Sequence, residues 1–425
     1  MNILKMLLAY NDIGDFLKYY LVGIKGSGMS ALACMLHDLG HTVMGSDYES
    51  DYDFNDGLKK RKIKVFNFNE TNIEANNHLN KANEEKCIYI ISSAYDANFI
   101  ETKKIIELNK EYYYYHEFIS MLPGIHIAVS GTHGKTTTTK MIVDMLDEEE
   151  VSCIIGSGYG KGVKDYKYLI YEACEYKEHF LAYNPDYLII TNIDYDHPDY
   201  YDSLESVNKA FEKLKTKSKF VITKDLVNYQ IIEKNELGFK IQIENEIYNL
   251  PFYGEHMIDN FICVYQLLKI FGYDSMKINE KIKNISLPTR RMQEYKVGEA
   301  VVIFDYAHHP TEISSVHQAI KHKYPDAFVT VFFEPHTYSR TIAYLDEFVK
   351  VLSMFDKVYI KDVFSSRREK KNQELQAGID EAFNSFLKYD KNILKKIDLN
   401  NQNIYVFLGA GTIYQDALTE IMKMD

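Results

Sequence analysis

The stretch "IHIAVSGTHGKTTTTKM", Ile125 to Met141, limits what this chain can fold into more than any other. An apolar run ends at Ser130, Gly131 and Gly134 bracket a short turn, and a helical pattern starts at Lys135. A strand that turns sharply into a helix is the opening half of a β-α-β crossover, which belongs to parallel sheets. The turn also carries chemistry. Backbone N–H groups at a helix N-terminus are unpaired, and the helix dipole adds to their pull on anions. Gly131 and Gly134 let the backbone approach phosphate oxygens, Lys135 reaches terminal phosphates, and the Thr136 hydroxyl suits Mg2+. The usual phosphate-loop spacing would put glycine where Val129 stands, so this loop is a shortened one. His133 lies inside it, either touching nucleotide or shaping the turn.

The same order of strand, turn and helix recurs along the chain. Near the start, "KYYLVGI" leads into Gly26-x-Gly28-x-x-Ala31 and an apolar-periodic helix, and "HTVMGSD" ends at Asp47, where a ribose-binding acid is expected in a dinucleotide fold. A further strand is "KCIYIISSA", and Tyr112–Tyr115 read as a partly buried strand or helix edge. After the phosphate loop, "YLIYEA" and "PDYLIITNID" are strands and "SLESVNKAFEKLK" a helix. From about Glu294, "AVVIFDY", "AFVTVFF", "KVYIKDVF" and "NIYVFLGAG" alternate with helices such as "RTIAYLDEFVKVL". The fold class is α/β with parallel, doubly wound sheets. Boundaries near Pro123-Gly124 and near Leu287 to Gln293 give domains at 1–121, 122–293 and 294–425.

Charge and cysteine content exclude other classes. With 49 Lys+Arg against 61 Asp+Glu the net charge is −12, unlike the basic surface of a nucleic-acid binder. The five cysteines are scattered without a C-x-x-C, which suits a reducing cytosol better than a disulfide framework or zinc module. No apolar run is long enough for a membrane helix. The opening "MNILKMLLAYNDIGDF" reads as a short extension rather than a signal peptide.

Side chains at strand ends carry the remaining chemistry, because ligands of open parallel sheets gather there. Glu172 ends one strand, and Asn192, Asp194, Asp196 and His197 follow another. Carboxylate with hydroxyl oxygen suits Mg2+; histidine is a less usual ligand for that ion. Asp305, His308 and His309 follow the strand "AVVIFD", and His336, Tyr338 and Arg340 follow "AFVTVFF", with Arg290 and Arg291 upstream. Arginines at such positions suit phosphate and carboxylate. Each also has a bland reading as a helix cap or solvated side chain, and adjacent histidines seldom face one metal.

Taken together, "GIKGSGMSALA", "SGTHGKTTTT", "YEACEYKEHFL", "TNIDYDHPDYY", "PTRRMQ", "FDYAHHPTEI", "FEPHTYSRT" and "FLGAGTI" resemble the Mur ligase family over nearly the whole chain. "GSGMS", "AHHPTE" and "PHTYSRT" resemble its alanine-adding subgroup, or the close relative that recycles murein peptides. The resemblance implies an N-terminal Rossmann-like domain for the UDP-sugar, a central ATPase and a C-terminal Rossmann-like domain for the amino acid. It implies a cytoplasmic ligase, monomer or dimer, in which ATP phosphorylates the lactyl carboxylate of UDP-N-acetylmuramate and L-alanine displaces phosphate.

Residue by residue, the resemblance puts Gly131, Thr132, His133, Gly134, Lys135, Thr136, Thr137, Asn260, Arg290, Arg291 and Asp305 around ATP. Thr136 and Glu172 would hold one Mg2+ and His197 a second. Gly26, Ser27, Gly28, Met29 and Ser30 would hold the UDP diphosphate, with Asp47, Ser93, His116 and His309 also on the substrate side. His336 and Arg340 would lie near the alanine. Met257 stands where many members have Asn, and "EACEYKEHF" departs from the acid-rich version of that segment, so Glu172 alone transfers from it.

The chemistry explains the residues. Phosphoryl transfer between two anions needs alignment and charge neutralisation, which Lys135 and the metals would supply. Alanine's amine must lose a proton, and His336 is the candidate base. The acyl phosphate must be kept from water, so closure of the C-terminal domain is expected. Two other readings stay open: a ligase that joins a ready-made peptide to the same sugar nucleotide, and a nucleotide- or NAD-binding module without ligase activity.

Overall fold

A computed structural model describes residues 17–49, 55–78, 87–365, 369–399 and 401–421. The N-terminal extension lies outside them. The chain divides into two compact units, residues 1–192 with 208–223, and 193–207 with 224–425.

The first unit opens with β1 (Lys18–Val22), which is buried along its whole length, as a strand covered on both faces must be. It runs into α1 (Ser27–Asp38), then β2 (Thr42–Asp47), β3 (Lys64–Asn67), β4 (Cys87–Ile91), β5 (Tyr112–Tyr114) and α2 (Tyr115–Met121). The four tyrosines therefore end a strand and begin a helix, as their pattern suggested. The strands form an all-parallel sheet in the order β3-β2-β1-β4-β5. The order reverses at β1, so the crevice for a ligand falls at its carboxyl end, at the Gly26–Ser30 turn.

A second sheet follows: β6 (Ile125–Ser130), α3 (Lys135–Met145), β7 (Val151–Ile154), β8 (Gly160–Lys161), β9 (Tyr168–Glu172), β10 (Tyr187–Ile190) and β11 (Phe220–Thr223). Its order is β11-β10-β6-β9-β7-β8, parallel except for β8. Thus β9 and β10 flank the strand that feeds the phosphate loop. Within this unit the two sheets are tied by Arg61, which grips Asp38 at 2.7 Å and donates to the Gly160 carbonyl at 3.2 Å.

The second unit begins with a feature the sequence reading did not anticipate, an antiparallel sheet of β12 (Tyr229–Asn235), β13 (Gly238–Ile243) and β14 (Glu246–Leu250). The buried helix α4 (His256–Ile270) follows. The last sheet contains β15 (Gln293–Val297), β16 (Ala300–Asp305), β17 (Val329–Phe333), β18 (Lys357–Ile360), β19 (Leu387–Lys388) and β20 (Ile404–Leu408), ordered β15-β16-β20-β17-β18-β19. Only β15 is antiparallel. Phe332 stacks on Phe407 with centroids 4.6 Å apart, and Phe304 stacks on the far face of Phe407. Burying each such ring is worth about 1.5–3 kcal/mol, which makes this sheet a rigid base for the loops at its edge.

Helix α5 (Pro310–Lys323) packs on that sheet. The pattern "RTIAYLDEFVKVL" is two helices rather than one: α6 (Tyr338–Ala343) and α7 (Leu345–Leu352), broken at Tyr344 (φ −123°, ψ 27°). Tyr344 spends its hydroxyl on the Tyr195 carbonyl, and α7 buries Phe348 and Leu352. Among the described residues no helix is long and apolar enough to cross a membrane.

Candidate functional site

The phosphate loop is held by its two neighbours in the sheet. Gly131 (φ 131°) and Gly134 (φ 80°) take backbone angles that side chains resist, and a Cβ on Gly131 would sit 2.1 Å from Thr191 Oγ1. Beyond β10, the Asn192 carbonyl accepts the Thr132 N–H at 3.1 Å, and Asn192 Oδ1 accepts the His133 N–H at 2.9 Å. Asn192 Nδ2 and the Thr191 hydroxyl both donate to the His133 carbonyl. Asn192 is thus a staple that shapes the loop. The N-terminus of α3, capped by no side chain, remains the anion-facing end.

Lys135 folds back over the loop. Its ammonium donates to the carbonyls of Gly131 and Thr132 and lies 2.9 Å from Glu175 Oε2. Burial would lower its pKa, but Glu175, with Cys174 and Glu172 behind it, holds it above the ordinary lysine value. At the end of β9, Glu172 accepts the Thr136 hydroxyl at 3.1 Å and the Gly156 N–H. Gly156 is needed for that approach, since a Cβ there would meet a Glu172 oxygen at 2.7 Å. The structure therefore brings Thr136 and Glu172 together as a pair of hard oxygen donors, a set that fits Mg2+.

At the first sheet's carboxyl edge, the Gly26–Ser30 turn opens α1 without a side-chain cap. Asp47 is fully buried, and its oxygens accept the N–H groups of Lys25 and Tyr48, both at 2.8 Å. Its carboxylate therefore organises the turn, and each oxygen keeps a further acceptor site. Ser93 Oγ and His116 Nδ1 lie 3.3 Å apart at the tips of β4 and β5.

In the second unit, Asp196 and Arg340 form a buried two-pronged pair, Nε to Oδ1 at 2.9 Å and Nη2 to Oδ2 at 3.0 Å. Burial would raise the Asp196 pKa, but the Arg340 guanidinium, with His197, holds it well below the usual carboxylate range. His197 (φ 57°) and Thr337 (φ 65°) sit in backbone regions that cost about 1–3 kcal/mol each, strain of the kind that collects at functional sites. Arg340 also donates to His336 Nδ1 at 3.2 Å, so the His336 lone pair is engaged in this state. Asp194 accepts the Thr311 hydroxyl at 3.0 Å.

His308 and His309 part company. His308 Nδ1 contacts the Tyr306 carbonyl at 2.8 Å, and burial, with Arg340 nearby, pushes its pKa down to about 3. His309 caps α5 by accepting the Thr311 N–H, and its ring packs on Tyr344. They do not face one ion. Asp305 accepts the N–H groups of Met292 and Ala307, and burial raises its pKa. Arg290 (φ 60°) donates to the Gly409 carbonyl and lies over Tyr306 and Tyr414. Arg291 lies 3.6 Å from Glu312, and Asn260 is buried on α4.

Sequence reasoning missed Glu175, Gly156, Glu334 and Lys361. Glu334 is buried, accepts from Thr412 and the Ile413 N–H, and pairs with Lys361 at 2.8 Å, which fixes the loop after β20. Only the acid doublet in "YEACE" hinted at Glu175.

Parallel sheets, a phosphate loop and an adjoining hydroxyl–carboxylate pair define a nucleotide-dependent α/β enzyme. Three family descriptions match in chain order: the Mur ligase family catalytic domain over residues 18–123, the Mur ligase middle domain over 129–236, and the glutamate ligase domain over 290–411. The chain belongs to the Mur ligase family, whose members are ATP-dependent amide-bond ligases.

Solved structures share the fold. The UDP-N-acetylmuramate-alanine ligase MurC of Thermotoga maritima is 24% identical, with a TM-score of 0.78 covering 96% of this chain and 99% of that one. A murein peptide ligase of Psychrobacter arcticus is 18% identical, with a TM-score of 0.66 over 95% and 98%. A pseudomurein peptide ligase type C of Methanothermus fervidus is 17% identical, with a TM-score of 0.57 over 96% and 100%.

Proposed function

We propose that the chain joins L-alanine to the lactyl carboxylate of UDP-N-acetylmuramate at the expense of ATP. Residues 1–121 would hold the sugar nucleotide, 122–293 the ATP and 294–425 the amino acid. The observation that carries the ATP half is the phosphate loop with Lys135 above it and Thr136 against Glu172.

ATP phosphates would take the Lys135 ammonium from Glu175 and the loop carbonyls, and would receive N–H groups from the start of α3. Thr136 and Glu172 would hold one Mg2+ and His197 a second, although imidazole suits that ion less well. Magnesium, when bound, would neutralise phosphate charge during transfer. Arg290 and Arg291 would offset charge on the phosphorylated carboxylate. Arg340 would turn to the carboxylate of the incoming amino acid. That movement would release the His336 Nδ1 lone pair, which then accepts the amine proton.

The recess lined by His197, Pro198, Thr337, Ser339, Arg340 and Glu369 adjoins the guanidinium that would take the acceptor's carboxylate. The murein-peptide ligase is the second reading, sharing the same sugar nucleotide and phosphate loop.

The test fixes UDP-N-acetylmuramate and ATP and varies the acceptor. Phosphate release that needs both the sugar nucleotide and L-alanine is expected. Release that needs neither would sink the proposal, and release with L-Ala-γ-D-Glu-diaminopimelate but not L-alanine would transfer it to the peptide ligase.

A further inference from the structure

The carboxyl edge of the first sheet gathers more imidazole than the proposed reaction uses. His116 stands at the tip of β5, beside Ser93. His179 arrives from elsewhere in the same unit, the short helical segment between β9 and β10, and its ring centroid lies 4.8 Å from that of His116 with the planes 51° apart.

Unusual backbone brings it there. Lys177 (φ 55°) and Glu178 (φ 56°) are consecutive non-glycine residues in the left-handed region, inside the turn that delivers His179. Glu178 is tied to Lys213 at 3.1 Å, which holds the turn in place. Strain of this kind persists where the surroundings impose it, and it clusters at ligand clamps.

The pair adjoins the turn that opens α1. A Cβ on Gly28 would lie 2.7 Å from the Tyr115 hydroxyl, one residue before His116. Lys177 is on the His179 side and Tyr114 stacks on His116. Glu117 turns its carboxylate to the Tyr114 N–H, and Glu178 is paired with Lys213. Burial lowers the pKa of both histidines. His116 and Lys177 press His179 further, to about 4, while Glu117 partly offsets the effect on His116. Imidazoles kept neutral by burial and mutual repulsion gain a proton when an anion is set against them.

We propose that His179 is a contact residue for the sugar nucleotide, closing with His116 on an anionic group of that ligand. The group is either the diphosphate or the lactyl carboxylate. The inference rests on the reading of this crevice as the sugar-nucleotide site. Binding takes up a proton, so affinity rises as pH falls toward the histidine range.

The test is titration calorimetry of the full chain with UDP-N-acetylmuramate and with UDP-N-acetylglucosamine, which has the diphosphate but no lactyl carboxylate. Two buffers of different ionisation enthalpy report proton uptake. The proteins are wild type, His179→Gln and, as a second variant should one fold poorly, His179→Asn. Wild type is expected to take up protons, and the variants to bind UDP-N-acetylmuramate roughly tenfold more weakly with reduced uptake. Loss with both nucleotides assigns the diphosphate; loss with the muramate alone assigns the carboxylate. Unchanged affinity, or weaker binding with proton uptake intact, overturns the contact role. Failure of wild type to bind either nucleotide overturns the reading of the crevice itself.

Discussion

Replacing Lys135 with Met tests the proposed phosphate role and the structural role of one side chain. The ammonium sits above the phosphate loop, and it also neutralises Glu175, which is 2% exposed. Removing it strips a buried carboxylate of its 2.9 Å cationic partner. Breaking a buried pair from one side costs about 3–5 kcal/mol. Part of the Lys135 side chain is exposed, so the low end, about 3 kcal/mol, is the better estimate. For a unit of this size that is a fall in melting temperature of roughly 6–12 °C. Lost activity in Lys135→Met alone would therefore be ambiguous. The double variant Lys135→Met/Glu175→Gln removes both charges and is expected to recover most of the melting temperature. It should recover none of the turnover, which stays down by about 10²–10³ as expected for a lost electrostatic contact to the transferred group. Differential scanning fluorimetry and phosphate release measure the two quantities separately. Turnover regained in the double variant would refute the phosphate role of Lys135, and an unchanged melting temperature in the single variant would refute the ion-pair reasoning.

Gly156→Ala would push a Cβ within 2.7 Å of a Glu172 oxygen, so the Mg2+ concentration needed for half-maximal turnover should rise roughly tenfold. Calorimetry should find sugar-nucleotide binding unmoved. Gly131→Ala would place a methyl 2.1 Å from Thr191 Oγ1 at φ 131°, and the KM for ATP should rise roughly 5- to 150-fold, the equivalent of about 1–3 kcal/mol of strain. Asp196 has a depressed folded-state pKa, so the stability it contributes is complete above the ordinary carboxylate value near pH 4 and is lost as pH falls through its own lower value. Acid unfolding of Asp196→Asn should accordingly show a flatter slope below about pH 4 than wild type, at lower overall stability.

Local grammar made the sheets readable. β6 and α3 announce themselves through an apolar run, two glycines and a lysine that are contiguous in the chain. Partners brought together by sheet order did not. Arg340 and Asp196 are 144 residues apart, and Lys135 and Glu175 are 40 apart. Knowing that β9 flanks β6 explains the second pair, and no local spacing announces either. Orientation was equally hidden. Asp47 and Asp305 stand at strand ends as a ligand-binding acid should, and both also accept backbone N–H groups, which no local pattern announces. The antiparallel sheet of β12 to β14 escaped because β12 and β14 are largely exposed, although β13 between them alternates Phe239, Ile241 and Ile243 at period two.

Val129 now has a clear meaning. The general phosphate-loop pattern would place glycine there, and a protein engineer matching consensus would be tempted to restore it. Val129 is the fifth residue of β6, fully buried, in register with Glu172 on one side and Ile189 on the other. Glycine at that point would leave a cavity and a floppy hinge beneath the loop, because the bend begins two residues later. A motif copied by letter would undo what Asn192 and Thr191 already accomplish from the adjacent strand.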